Sequence, residues 1–110
     1  MLIQYLLLIA YLYIGQTMIK EELYSLADQI KRSAVSIPSN IAEGSGRNTT
    51  KEYIQFVYIA LGSASELETQ LIIGQNLGFF PNIEDHMKEI TDIRRMLNGL
   101  INSLKKKEIR

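Results

Sequence analysis

The 110-residue sequence contains no cysteine and no tryptophan, and it has one histidine and two prolines. Without cysteine, neither a disulfide framework nor a thiolate metal site can form, so a reducing compartment is suitable and we expect a cytoplasmic protein. One histidine cannot supply the two Glu-x-x-His sets of a di-iron helical bundle, although His86 and Glu89 are three residues apart. With 46% hydrophobic residues, the chain is expected to fold as one domain spanning residues 1–110.

The sequence also lacks a recognisable catalytic arrangement. Ser36 and Ser39 have no histidine or lysine at a helical offset that could activate a hydroxyl group. Glu66 and Glu68 are two residues apart and therefore lie on different helix faces, so they cannot act as one acid-base pair. No glycine-rich phosphate loop follows a predicted strand. We therefore expect a protein that is not an enzyme and that has no cofactor, metal or small-molecule substrate.

An apolar run occupies the start of the chain, from Met1 to Ile14. It ends at Gly15, short of the roughly 20 residues that a membrane-spanning helix needs. A secretory signal is not indicated either, because no basic residue precedes Lys20 and no small-residue cleavage site is present. We interpret residues 2–14 as a short core helix. The alternative is a small membrane-associated bundle anchored by this segment.

Three further segments, 20–44, 50–76 and 83–107, have apolar residues every three or four positions, which predicts helices. Their short connections favour antiparallel neighbours, so the predicted fold is all-α: an up-down-up-down four-helix bundle with a short or atypical first helix. The helix over 50–76 is apolar on more than one side, and either the rest of the bundle or another subunit must cover it. Gly62, inside that helix, costs about 1 kcal/mol relative to alanine, which suggests a packing role.

Helix ends can be predicted from a few residues. Thr49 and Glu52 form a capping-box pattern at the start of the helix over 50–76. Gly44 and Gly78 are predicted to end the two preceding helices in the left-handed conformation, and Asn82 is predicted to cap the last helix.

A group of polar residues surrounds Pro38, which interrupts the backbone hydrogen bonds of a helix whose apolar stripe continues beyond it. We interpret this segment as one kinked helix. Asn40 or a serine hydroxyl is expected to satisfy the backbone groups that Pro38 frees, and Glu43 is expected to pair with Arg47 or with the start of the following helix. A ligand or partner contact at this turn is the alternative.

Net charge is zero, but basic residues are concentrated near the end of the chain. Lysines and arginines at a helix C-terminus complement the helix dipole, and they can also contact nucleic acid. The candidate nucleic-acid contacts are Arg94, Arg95, Lys105, Lys106 and Lys107.

The run SIPSNIAEG at residues 36–44, within the longer segment 21–47, carries a family resemblance. Together with residues 53–56, 58–63, 66–71 and 77–79, it resembles the bacterial four helix bundle protein family. Members of that family are encoded in intervening sequences of large-subunit ribosomal RNA genes. Pro38, Asn40, Glu43, Gly44 and Arg47 belong to the signature.

The resemblance implies an antiparallel four-helix bundle that assembles into a ring, a homopentamer in known relatives. It also implies possible partners, because some relatives are accessory proteins of diversity-generating retroelements that bind RNA and a reverse transcriptase. The sequence departs from the family before Lys20, where it has no charged residue and no Phe-Pro pair. Residues 1–19 are therefore either a native or a truncated first helix.

Overall fold

The computed structural model describes residues 19–109, which form three α-helices and no strand. Helix α1 spans Ile19–Ser45, α2 spans Thr50–Asn76 and α3 spans Glu84–Ile109. The three corresponding predicted helices agree with these bounds to within two residues at each end, and the all-α class is confirmed. The predicted helix over 2–14 lies outside the described residues, so the structure describes three of the four expected helices.

Helices α1 and α2 pack against each other in opposite directions. Near the middle of both helices, the hydroxyl groups of Ser36 and Ser63 are 2.7 Å apart. Near the end of α1, Gly44 contacts Phe56, which belongs to the second turn of α2. Contacts between late residues of one helix and early residues of the next define an antiparallel pair, as the short connection over residues 46–49 predicts.

Helix α2 lies between the other two helices, because it also packs antiparallel against α3. Arg94 of α3 donates a hydrogen bond to Glu68 of α2, and the Lys105 ammonium lies over the ring of Tyr58. Since α1 and α3 are both antiparallel to α2, they run parallel to each other. The N-termini of α1 and α3 therefore share one end of the bundle, and their C-termini share the other end with the start of α2.

The core is made mainly of small and branched side chains. In α2, Val57, Ala60 and Ala64 are completely buried. Alanine is a good helix former and its short side chain permits close helix packing, so α2 can have close neighbours on two sides. The remaining buried core residues are Ile37, Ile54, Ile90, Leu97, Ile101 and Leu104.

The helix connections follow the predicted turn chemistry. Thr49 Oγ1 accepts a hydrogen bond from the Glu52 amide at 3.1 Å, which caps α2. At the other end of α2, Gly78 has φ = 81°, and the amides of Gly78 and Phe79 donate to the carbonyls of Gln75 and Gly74. This is a Schellman motif. Asn82 Oδ1 accepts from the Glu84 amide at 2.9 Å, so the predicted cap of the last helix is confirmed.

Gly44 has a different role from the one predicted. It lies within α1, and Gly78 is the glycine with positive φ among the described residues. A Cβ atom on Gly44 would lie 2.7 Å from Phe56 Cβ and 2.8 Å from Tyr53 Cδ1. The prediction of a left-handed stop at Gly44 is therefore wrong. Glycine at this position allows the end of α1 to approach α2 closely.

We expect Gly44→Ala to lower the free energy of unfolding by about 1–3 kcal/mol, because the added methyl group overpacks the contact with Phe56. Gly99→Ala is the matched control, since a Cβ atom at Gly99 meets nothing within 4 Å. That change should stabilise α3 by about 1 kcal/mol through helix propensity. Urea denaturation followed by circular dichroism, at one protein concentration, measures both. Equal effects of the two substitutions would contradict the packing role of Gly44.

Candidate functional site

Pro38 lies on the exposed face of α1, and the helix continues through it to Ser45. A proline cannot donate a hydrogen bond to the carbonyl four residues earlier, which in α1 belongs to Ala34. Because Ala34 is also exposed, water can reach this side of the helix. The backbone group freed by Pro38 therefore does not depend on a protein side chain.

Asn40 bonds a different carbonyl group from the one that Pro38 frees. Its Nδ2 donates to the backbone oxygen of Ser36 at 2.7 Å and to Ser36 Oγ at 2.9 Å. The same Ser36 hydroxyl lies 2.7 Å from Ser63 Oγ of α2. The expectation that Asn40 satisfies the carbonyl freed by Pro38 is thus corrected. Asn40 orients Ser36 toward α2, and the chain of hydrogen bonds crosses the helix interface.

Ser33 and Glu66 extend this polar group by one turn on each helix. Ser33, which is buried, donates to Glu66 Oε2 at 3.5 Å. We call the five residues Ser33, Ser36, Asn40, Ser63 and Glu66 the serine cluster. The hydrogen-bond partners of the Ser36 hydroxyl are an amide and a second hydroxyl, and neither is a base that could activate it. The geometry suits a polar helix contact that fixes how α1 and α2 pair.

Glu43 and Arg47 form the ion pair that the sequence suggested. Arg47 Nη2 lies 2.6 Å from Glu43 Oε1, with both side chains about half exposed. The Arg47 guanidinium also lies over the Phe56 ring, 4.8 Å from its centroid. This arginine therefore connects the end of α1 to the start of α2. As an exposed ion pair, it contributes no more than about 1 kcal/mol to stability.

The two candidate arginines of α3 differ in their surroundings. Arg94 is bonded to Glu68 of α2, so its charge is already compensated. Arg95 Nη1 is 3.9 Å from Asp92 Oδ1, and both side chains are largely exposed. Ten residues separate Arg95 from Lys105, which corresponds to about 15 Å along a helix. The structure therefore does not gather the five candidate basic residues at one place.

Lys105, Lys106 and Lys107 are exposed in the last turns of α3, next to the start of α2. We call this the basic end of the bundle. It contains five cations and three acids: Arg47, Lys51, Lys105, Lys106, Lys107, Glu43, Glu52 and Glu108.

The opposite end of the bundle has acids in the first turns of α1 and α3, namely Glu21, Glu22, Glu84 and Asp85. We call this the acidic end. A chain with no net charge is therefore polarised along its helices.

An apolar groove lies between α1 and α3, with α2 at its base. It has a volume of about 470 Å³. Ile30 of α1 and Ile93 of α3 line its two sides, and Leu71 of α2 lines its base. His86 and Glu89 also border it, and both are exposed. Within residues 19–109, no group of three or more His, Asp or Glu side chains is placed to hold a metal ion.

The described helices also bear on the membrane alternative. Across residues 19–109, no helix combines the length and the apolar character needed to cross a bilayer. The segment on which the alternative rests, 2–14, lies outside the described residues.

Sequence reasoning missed two contributors to these surfaces. The hydrogen bond of Ser63 to Ser36 could not be predicted, because it depends on how the two helices pair. Tyr58 belongs to a largely apolar helix, yet 46% of its surface is exposed beside Lys105. The sequence did contain one indication that Tyr58 is exposed. Adjacent residues of a helix face different directions, and its neighbour Val57 is buried.

The antiparallel helices, the interhelical serine cluster and the charge separation between the ends define a small all-helical bundle protein with charged ends. A family model described as 23S rRNA-intervening sequence protein matches residues 5–99. The chain belongs to this family, and the resemblance drawn from residues 21–47 is confirmed. Comparisons with curated proteins and with solved structures found no match.

The hydrogen bonds of the serine cluster predict that replacing Asn40 lowers the free energy of unfolding. Asn40→Ala should lower the free energy of unfolding by about 1–2 kcal/mol, because two hydrogen bonds to Ser36 are lost. Asn98→Ala is the matched control on an exposed position of α3. There alanine should be neutral or stabilising by about 0.5 kcal/mol, since it is the better helix former. Thermal and urea denaturation compare the two variants, and a neutral Asn40→Ala would contradict the proposed role of the cluster.

Proposed function

We propose that this chain is a non-enzymatic, homo-oligomeric helical bundle of the cytoplasm that serves as an RNA-associated accessory or scaffold protein. The observation that carries the proposal is the exposed basic end, where Lys105, the first of three consecutive exposed lysines, lies over the exposed ring of Tyr58. Family membership is consistent with it, because the family is described by its link to 23S rRNA intervening sequences. A nucleic-acid enzyme is a further partner consistent with the resemblance.

The complete bundle would have a fourth helix, formed by residues 2–14. The apolar groove between α1 and α3 supports this, because such a surface requires an apolar cover. A helix of this length extends about 20 Å, and the lining residues from Ile83, just before α3, to Ile93 extend about 15 Å. The segment and the groove therefore match in length and in apolar character.

Self-association is supported by the surface of α2. Ile59 is 51% exposed, and a Cβ atom on Gly62, one turn later, would meet nothing within 4 Å. The packing role that the sequence suggested for Gly62 is therefore not fulfilled by the described residues of its own chain. An exposed glycine next to an exposed isoleucine allows the backbone of a second copy to approach closely. We propose this face of α2 as a contact in the homopentamer that the resemblance implies.

Sedimentation velocity at micromolar concentration tests the assembly. The protein should sediment as a pentamer, and Ile59→Glu should shift it toward smaller species, because a charge would be buried without a partner. Met96→Glu is the matched control, since Met96 of α3 is 65% exposed and the same charge is added there. It should leave the assembly unchanged. A stable monomer would contradict the oligomer, and equal dissociation by both variants would contradict the assignment to α2.

RNA binding is supported by the separation of basic and acidic residues between the two ends of the bundle, since the net charge of the chain is zero. Arg94 is compensated by Glu68, whereas Lys105, Lys106 and Lys107 are exposed at the basic end. Phosphate groups attracted by such lysines release bound counterions, so affinity depends on salt concentration. The acidic end repels the same phosphates. Binding is therefore expected at one end of the bundle.

A salt titration of RNA affinity, followed by fluorescence anisotropy, tests this assignment. The affinity of the full chain for a labelled RNA should fall steeply with salt concentration. Replacing Lys105, Lys106 and Lys107 together with glutamine should reduce the slope of log K against log salt by about two on a single strand. Lys88→Gln, near the acidic end, is the control and should leave the slope unchanged. No binding at low salt would exclude the RNA-associated role.

A further inference from the structure

We propose that Tyr58 and Lys105 form a site for single-stranded RNA, in which one base stacks on the tyrosine ring while the lysines of the basic end contact the adjoining phosphates. The proposal rests on the RNA-associated function given above and specifies its ligand. An RNA-binding protein that reads duplex shape would not need such a site.

Tyr58 is an aromatic side chain that the core does not require. Its exposed fraction is 46%, whereas the adjacent Val57 is completely buried and Ala60 follows on the buried face. A large aromatic ring in contact with water gives up the free energy that its burial would provide. The position therefore places an aromatic surface where an incoming base can reach it.

Lys105 holds that ring in a particular arrangement. Its ammonium lies 5.5 Å from the ring centroid, a cation–π distance, and the contact joins the first turns of α2 to the last turns of α3. A flexible exposed side chain loses conformational entropy when it binds, and a ring held by a neighbour loses less. Because the ammonium lies over one face of the ring, the proposed base would stack on the other face.

A second cation–π pair nearby shows why Tyr58 is the better candidate. Arg47 lies over Phe56, but its guanidinium is already bonded to Glu43 at 2.6 Å. Phe56 is also half-buried against Gly44. Both members of that pair are engaged within the chain. No acidic partner of Lys105 is present within the described residues.

The chemistry of an exposed ring paired with Lys105 at the basic end favours a single strand. Bases in a duplex are stacked on one another, and their faces are not accessible to a side chain. Unpaired bases can leave their stack and lie against an aromatic ring, and the contribution is sequence-tolerant because every base has a π-face. The lysines supply phosphate contacts without base readout. A single-stranded segment or loop is therefore the expected ligand.

Tyr24 provides a control within the same chain. It is 70% exposed and therefore more accessible than Tyr58, but it lies in the second turn of α1 at the acidic end. Glu21 and Asp28 are its exposed neighbours at helical spacing. If any exposed tyrosine were sufficient for stacking of an RNA base, Tyr24 would bind a base as well. The proposal requires that Tyr24 does not bind one.

The first test measures affinity by fluorescence anisotropy at low salt, using a labelled unstructured RNA and a fully paired RNA hairpin of the same length. The single strand should bind more tightly. Tyr58→Leu should weaken its binding about tenfold, as expected for one stacked base, and should change hairpin binding little. Tyr58→Phe retains the ring and should keep most of the affinity. Tyr24→Leu should have no effect.

The second test uses the absence of tryptophan, which makes a single substituted indole the one such fluorophore in the chain. Addition of the unlabelled single strand should quench the fluorescence of Tyr58→Trp, because a base stacked on the indole quenches its emission. Tyr24→Trp should show no quenching over the same range. Circular dichroism confirms that each variant retains its helices. The signal comes from folded protein and does not depend on a loss of binding.

The outcomes separate this site from the general function. If the full chain binds neither RNA at low salt, the RNA-associated function fails and the site fails with it. If both RNAs bind equally and Tyr58→Leu has no effect, while the triple lysine variant is weakened, the function stands and the site is overturned. Quenching of both tryptophan variants also overturns it. Selective quenching at position 58 with a tenfold loss in Tyr58→Leu supports it.

Discussion

The close pairing of α1 with α2 is the contact on which the rest of the described structure depends. It requires small residues at two levels: Gly44 allows the end of α1 to reach Phe56, and Ser36 meets Ser63 near the middle of both helices. Hydrogen bonds between hydroxyl groups are directional, whereas apolar contacts between helices are not. The serine cluster therefore fixes the register of a pair that apolar packing alone would leave less defined.

That register has consequences for the turn after α1 and for the position of α3. With α1 fixed on α2, the turn at residues 46–49 is short enough for Arg47 to lie over Phe56. The other side of α2 remains available to α3, which it contacts through Arg94 and Lys105. The parallel directions of α1 and α3 follow, and with them the separation of acidic and basic residues. Charge polarity in this protein is thus a product of topology rather than of composition.

Much of the fold was predictable from the sequence, because local chemistry decides it. Three helices, the Thr49 and Asn82 caps and the Gly78 turn depend on residues close together in the chain. The role of Gly44 could not be predicted in this way. A glycine near a helix end serves equally as a left-handed stop or as a point of close approach, and the choice depends on Phe56, twelve residues later. Asn40 was misread for the same reason, since its partner Ser36 also bonds a residue of another helix. Exposure of Tyr58 depends on where α3 lies.

The parallel arrangement of α1 and α3 also determines how charge would be distributed over a ring of identical copies. In a ring related by a single rotation axis along the helices, every copy points the same way, so all the lysine-bearing ends lie on one side. Such a ring would have two unlike faces, one cationic and one anionic. The local excess of two positive charges at the end of one chain would then be repeated around a circle. A polyanion would meet the cationic face as a continuous surface, although each chain is neutral overall.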